Sequence, residues 1–151
     1  MKKGITPIVS VIVLLLITIA LAGAAWTFLN QYLSGTTGKN LQLIDSYCQG
    51  GTTAKVILKN IGTEPINIGN CNTNMSGTET SCGDVVVVKT SGGNLDGSVL
   101  TPNTGGNIIP SQGLATFTDN NCTVTGTPQT CTYRFVVGTL GAVQAIVTCP
   151  G

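Results

Sequence analysis

The stretch ITPIVSVIVLLLITIALAGAAWTFLNQYL, residues 5–33, decides the fold. From Gly4 to Gly38 no residue is charged. Ile8, Val13 and Leu16 lie in an almost wholly aliphatic run, and the small residues Ala20, Ala22, Gly23, Ala24 and Ala25 lead into Trp26. Trp26, Leu29 and Leu33 are spaced for one helical face, so the helical pattern continues past the small residues. A helix over residues 5–33 spans roughly 43 Å at about 1.5 Å per residue, more than the roughly 30 Å hydrocarbon core of a bilayer. Lys2 and Lys3 precede the run, and no basic residue follows it until Lys39. That bias keeps the N-terminus in the cytoplasm and sends the rest of the chain outside. Pro7 falls in the first helical turn, where a missing N–H does no harm.

Three roles suit such a segment. It can anchor the chain as a single transmembrane helix. It can act as a secretory signal, with A-x-A cleavage patterns at Ala20–Ala22 and Ala22–Ala24 and a mature chain starting near Ala25 or Trp26. Or it can be a retained helix behind a short basic leader. The extension through Trp26, Leu29 and Leu33 favours retention, because a discarded signal has no use for it.

Residues 2–9, KKGITPIV, followed by an unbroken apolar helix, resemble the start of archaeal type IV pilins. The resemblance covers about the first 30 residues. It implies cleavage by a prepilin peptidase between Gly4 and Ile5, leaving Lys2 and Lys3 in the leader. Bacterial type IV pilins usually carry Glu where this chain has Val9, which points away from the bacterial branch. Archaellins, the subunits of the archaeal swimming filament, begin similarly. A helix without charge can leave a bilayer and bundle with its own copies, and Ala20, Gly23 and Ala24 let backbones approach closely. Pro7, Ile8, Val13, Leu16, Ala20, Gly23, Ala24, Trp26, Leu29 and Leu33 are the expected filament-core positions.

Beyond the helix the pattern changes. Residues 1–4 read as a leader, 5–34 as the helix, 35–40 as a small-residue linker and 41–151 as one β-domain. Short alternating runs are separated by Gly, Pro, Asn and Ser. They lie at residues 41–47; at Ala54, Val56 and Leu58; at 66–68; at 85–88; at 114–118; at Tyr133, Phe135 and Val137; and at Val143, Ala145 and Val147. Val85 to Val88 is continuously apolar, as in a strand buried on both faces. About seven strands in a domain of roughly 100 residues predict an α+β chain, with a long N-terminal hydrophobic helix followed by an all-β immunoglobulin-like sandwich, a barrel or a smaller irregular sandwich being the alternatives. Residues 56–66, VILKNIGTEPI, read as a hairpin in which Asn60 and Gly62 tolerate positive φ and Pro65 restarts an extended segment. The same stretch is similar to one in archaeal pilin and archaellin head domains.

Cys48, Cys71, Cys82, Cys122, Cys131 and Cys149 all lie beyond the helix, on the side expected outside. An even count there reads as three disulfides. Six cysteines allow many connectivities, and loop length favours Cys71–Cys82 and Cys122–Cys131, leaving Cys48–Cys149. Asn74-Met75-Ser76 and Asn121-Cys122-Thr123 are N-glycosylation acceptors.

The composition removes several functions. The chain has 151 residues, no His, a formal net charge of +1 and 9% charged residues, against about 25% in an average domain. Without His there is no imidazole base and no His-ligated metal. A near-neutral chain has no broad basic surface for nucleic acid. Asp45, Glu64, Glu79, Asp84, Asp96 and Asp119 are scattered without ligand spacing, and Asn94-Leu95-Asp96-Gly97 lacks the carboxylates of a calcium loop. No phosphate-binding glycine motif occurs. The expected protein is therefore not an enzyme and needs no cofactor. It is a structural subunit of an extracellular pilus-like filament, held in the membrane before assembly. Its expected partners are identical subunits in a helical homopolymer. The resemblance implies a prepilin peptidase and pilus assembly machinery as further partners. Surface adhesion is favoured over swimming, because the chain is short for an archaellin. The alternative is a membrane-anchored or secreted β-sandwich binding module.

Overall fold

In a computed structural model of the chain, the described residues are 5–73, 75–122, 127–138 and 141–150. The chain divides into two compact units, residues 1–35 and 36–151. The first is the helix α1, Ile5–Thr37, which runs on into the second. It ends three residues later than the expected 34, within the segment read as linker. Ser, Thr and Gly are mediocre helix formers, but each costs only about 0.5–1 kcal/mol relative to Ala, so the upstream helix carries through them.

The β-unit holds β1 (Leu41–Gln49), β2 (Thr53–Asn60), β3 (Ile66–Asn67), β4 (Glu79–Cys82), β5 (Val85–Ser91), β6 (Val99–Pro102), β7 (Ile108–Ile109), β8 (Leu114–Asp119), β9 (Gln129–Val137) and β10 (Gly141–Cys149). One antiparallel sheet has the order β1-β2-β8-β6, and a second β10-β9-β5-β4. β3 pairs with β7 in a separate two-stranded ribbon.

Alternation aims each sheet at a common core. Ala54, Val56 and Leu58 of β2 are buried, as are Ala115 and Phe117 of β8. From the other sheet come Val85 and Val87 of β5, Tyr133, Phe135 and Val137 of β9, and Ala145 and Val147 of β10. The Phe117 ring meets Tyr133 at 4.9 Å and Phe135 at 5.2 Å, both edge-on, and so joins the two sheets. Such pairs add about 0.5–1.5 kcal/mol beyond the area they bury. The turn from β1 to β2 needs glycine: Gly50 and Gly51 hold φ of +63° and +79°, a region that side chains avoid.

Three expectations change. β5 alternates instead of being buried on both faces, because Val86 and Val88 are half-buried on its outer side. Residues 56–66 do not form a hairpin, because both edges of β2 are taken by β1 and β8, and β3 turns away to β7. Neither Asn60 nor Gly62 adopts positive φ. Gly62 is required by close approach, since a Cβ there would lie 2.1 Å from the Gly38 carbonyl oxygen. Asn60 is buried and pins the turn. Its Oδ1 accepts from the Gly62 N–H at 2.9 Å, and its Nδ2 donates to the carbonyls of Glu64 at 2.8 Å, Ile109 at 3.2 Å and Pro110 at 3.2 Å.

Candidate assembly surface and a buried ion pair

The helix carries the first candidate surface. Residues Pro7–Tyr32 are long and apolar enough to cross a membrane. Every described side chain along them is exposed, with Trp26 at 68%. Ile8, Val13, Leu16, Ala20, Gly23, Ala24 and Leu29 all present their surface outward, and nothing lies within 4 Å of a Cβ built on Gly23. Thr18 and Thr27 turn their hydroxyls back to the carbonyls of Leu15 at 2.8 Å and Ala24 at 2.9 Å. Side-chain donors satisfied within the helix suit surroundings that contain no water. Phe28 stacks on Tyr32 one turn later, with ring centroids 6.4 Å apart.

Ile5 and Leu33 lie within the helix span. Lys2, Lys3 and Gly4 fall outside the described residues, as does Asn74.

The cysteines form three disulfides. Cys48 pairs with Cys149, Cys71 with Cys82 and Cys122 with Cys131, at Cα separations of 5.3, 5.6 and 5.9 Å. This is the pairing that loop length favours. Cys48–Cys149 ties β1 of one sheet to β10 of the other. A hydrogen bond from the Ser46 hydroxyl to the Ile146 carbonyl, at 3.3 Å, supports the same seam. An apolar helix followed by three disulfides is consistent with a secreted or membrane-anchored protein whose β-unit lies outside the cell. Asn121 is exposed. Its side-chain amide donates to the Asp96 carbonyl, which occupies one N–H of that acceptor.

Lys39 and Asp84 form a half-exposed ion pair at 2.8 Å. Partial burial pulls the Asp84 carboxyl upward, but the Lys39 ammonium and the Asn67 backbone N–H outweigh it and hold it below its ordinary value.

One constellation escapes the sequence reading. Asp119, taken as one of six scattered acids, is fully buried against Lys89 and Tyr133. Lys89 Nζ donates to Asp119 Oδ2 at 2.6 Å, to the Asn94 carbonyl at 3.1 Å and to the Asn121 carbonyl at 3.2 Å. The Tyr133 hydroxyl donates to the same Oδ2 at 2.7 Å, and the Asn121 backbone N–H donates to Oδ1 at 2.8 Å. Burial and the Asp119 carboxylate hold the Tyr133 hydroxyl protonated, far above the ordinary tyrosine range. A signal for the pair is present in the strands. Lys89 continues the buried parity of Val85 and Val87, and Asp119 that of Ala115 and Phe117. Opposite charges at buried parity on two strands mark a pair.

Among the described residues, no group of three or more Cys, Asp or Glu side chains gathers as a metal site. The chain matches no protein-family model, and no curated protein is significantly similar to it in sequence.

Proposed function

We propose that the chain is a structural subunit of an extracellular filament of the archaeal type IV pilin kind, polymerising through α1. The observation that carries this reading is the helix itself. It is uncharged, apolar on every side and uncovered along its described length. A helix that is hydrophobic all round needs cover. A bilayer supplies that cover to the precursor, and other copies of the helix supply it in the polymer. Cleavage after Gly4 frees the helix for assembly, and a peptidase and an assembly machine act on the precursor. The β-unit then forms the outer wall.

Strand order supports an immunoglobulin-like reading of that wall. The orders β1-β2-β8-β6 and β10-β9-β5 parallel the A-B-E-D and G-F-C sheets of immunoglobulin constant domains. β4 departs from that plan, since it lies beside β5 but precedes it in the chain. Three disulfides suit a wall exposed to an oxidising exterior. Few charges on the surface leave little repulsion between neighbouring subunits. Adhesion is the use we assign to the filament.

Electron microscopy of material sheared from cells expressing the chain tests the proposal, with the subunit identified by mass spectrometry. Thin filaments whose subunit begins at Ile5 are expected. Protein confined to the membrane fraction with residues 1–4 intact would overturn it in favour of a single-pass anchor. Soluble protein beginning near Ala25 would overturn it in favour of a secreted module.

A further inference from the structure

We propose that Lys89 and Asp119 condense into an intramolecular amide, a covalent link between the two sheets that the fold itself makes. The pair joins β5 of one sheet to the end of β8 in the other. Both side chains are 0% exposed, and the amine nitrogen stands 2.6 Å from a carboxylate oxygen.

The two carboxylate oxygens are held differently, and that difference assigns their roles. Oδ1 accepts the Asn121 backbone N–H at 2.8 Å. A backbone donor fixed on that oxygen stabilises the negative charge it would carry in a tetrahedral intermediate. Oδ2 accepts from both Lys89 and Tyr133. It is the oxygen placed to collect protons and leave.

The step balances without any other reactant. The Lys89 ammonium gives one proton to Oδ2, which leaves a neutral amine beside a neutral acid. The Nζ lone pair attacks Cγ, and the displaced π electrons go to Oδ1. A second Nζ proton passes to Oδ2, with the Tyr133 hydroxyl donating a hydrogen bond to the departing oxygen. The Cγ–Oδ2 bond breaks, water leaves, and the Cγ–Oδ1 double bond re-forms. One hydrogen stays on the amide nitrogen, next to the Asn94 and Asn121 carbonyls that now accept from the ammonium. Nothing is oxidised or reduced.

A tryptic digest of the reduced, denatured full chain reads the bond directly. Trypsin cuts after Lys and Arg, so an unlinked chain gives residues 60–89 and 90–134 as separate fragments of full mass. A Lys89 side chain in amide linkage blocks the cut at Lys89. The expected product is a single fragment, 60–134, lighter than its sequence by one water. Lys89→Gln removes the charge and must give a fragment of full mass. Complete cleavage after Lys89 in the unmodified chain, with no water lost, would overturn the proposal and leave an ordinary buried ion pair.

Discussion

The helix and the β-unit use apolar residues in opposite ways. In the β-unit they alternate and turn inward, so that Phe117, Tyr133 and Phe135 meet in one core. In α1 they occupy every side and turn outward, with Leu16 and Trp26 both well over half exposed. The β-unit is closed by three disulfides and a buried ion pair. All of these lie beyond the helix, which holds no cysteine. One region completes itself, and the other leaves an apolar surface uncovered. A chain divided in this way closes its core in one unit and leaves its largest apolar surface on the other.

The largest way to break that comparison is to open the β-unit. Replacing Cys48 and Cys149 together by Ser releases a loop of sequence separation 101. The expected loss is about 4 kcal/mol, read as a lower denaturation midpoint of the full chain in detergent. An unchanged midpoint would mean that the sheets do not depend on the seam between β1 and β10. The converse experiment places a charge on the helix. Leu16→Arg is expected to cost about 3 kcal/mol at the centre of a membrane span. It should reduce membrane retention and assembly and leave the unfolding of the β-unit unchanged. A loss of β-unit stability would show that the two units are not independent.

Gly62→Ala sharpens the account inside the β-unit. A methyl group there meets backbone at Gly38, and backbone cannot yield as a side-chain tip can. The expected cost is about 1–3 kcal/mol, as for other overpacked sites, measured by denaturant unfolding.

The smallest effect is that of acid. Asp84 is held below its ordinary value in the folded chain, so its contribution is present above roughly pH 4 and lost as pH falls through the folded value. For a pair as exposed as Lys39–Asp84, that contribution is a few tenths of a kcal/mol. Asp84→Asn should remove the matching part of the acid-induced loss in unfolding titrations.

The sequence makes one region far more legible than the other. A run without charge from Gly4 to Gly38 admits no element but a long helix, and only its C-terminal end, at Thr37 instead of 34, escaped the pattern. Seven strands were legible, most by alternation, β5 as a continuously apolar run and β3 as the short segment after Pro65. β4, β6 and β7 were not. Glu79–Cys82 is polar at an edge, Val99–Pro102 is four residues ending in proline, and Ile108–Ile109 is too short to show a period. The turn at residues 60–66 was legible as a turn, but not its destination, because strand pairing is decided by which edges remain free. Lys89 and Asp119 were missed for a different reason. Each looks like a solvated charge unless its parity is counted along the strand.

Trp26 is the only tryptophan in the chain and lies in α1, so its fluorescence reports on the helix and on nothing else. The direct measurement is the emission of sheared, lipid-free and detergent-free material, together with its quenching by a water-soluble quencher. The account predicts blue-shifted emission protected from the quencher, because copies of the helix cover one another. Emission at the wavelength of a hydrated indole, freely quenched, would show the helix surface facing water and would contradict assembly through α1.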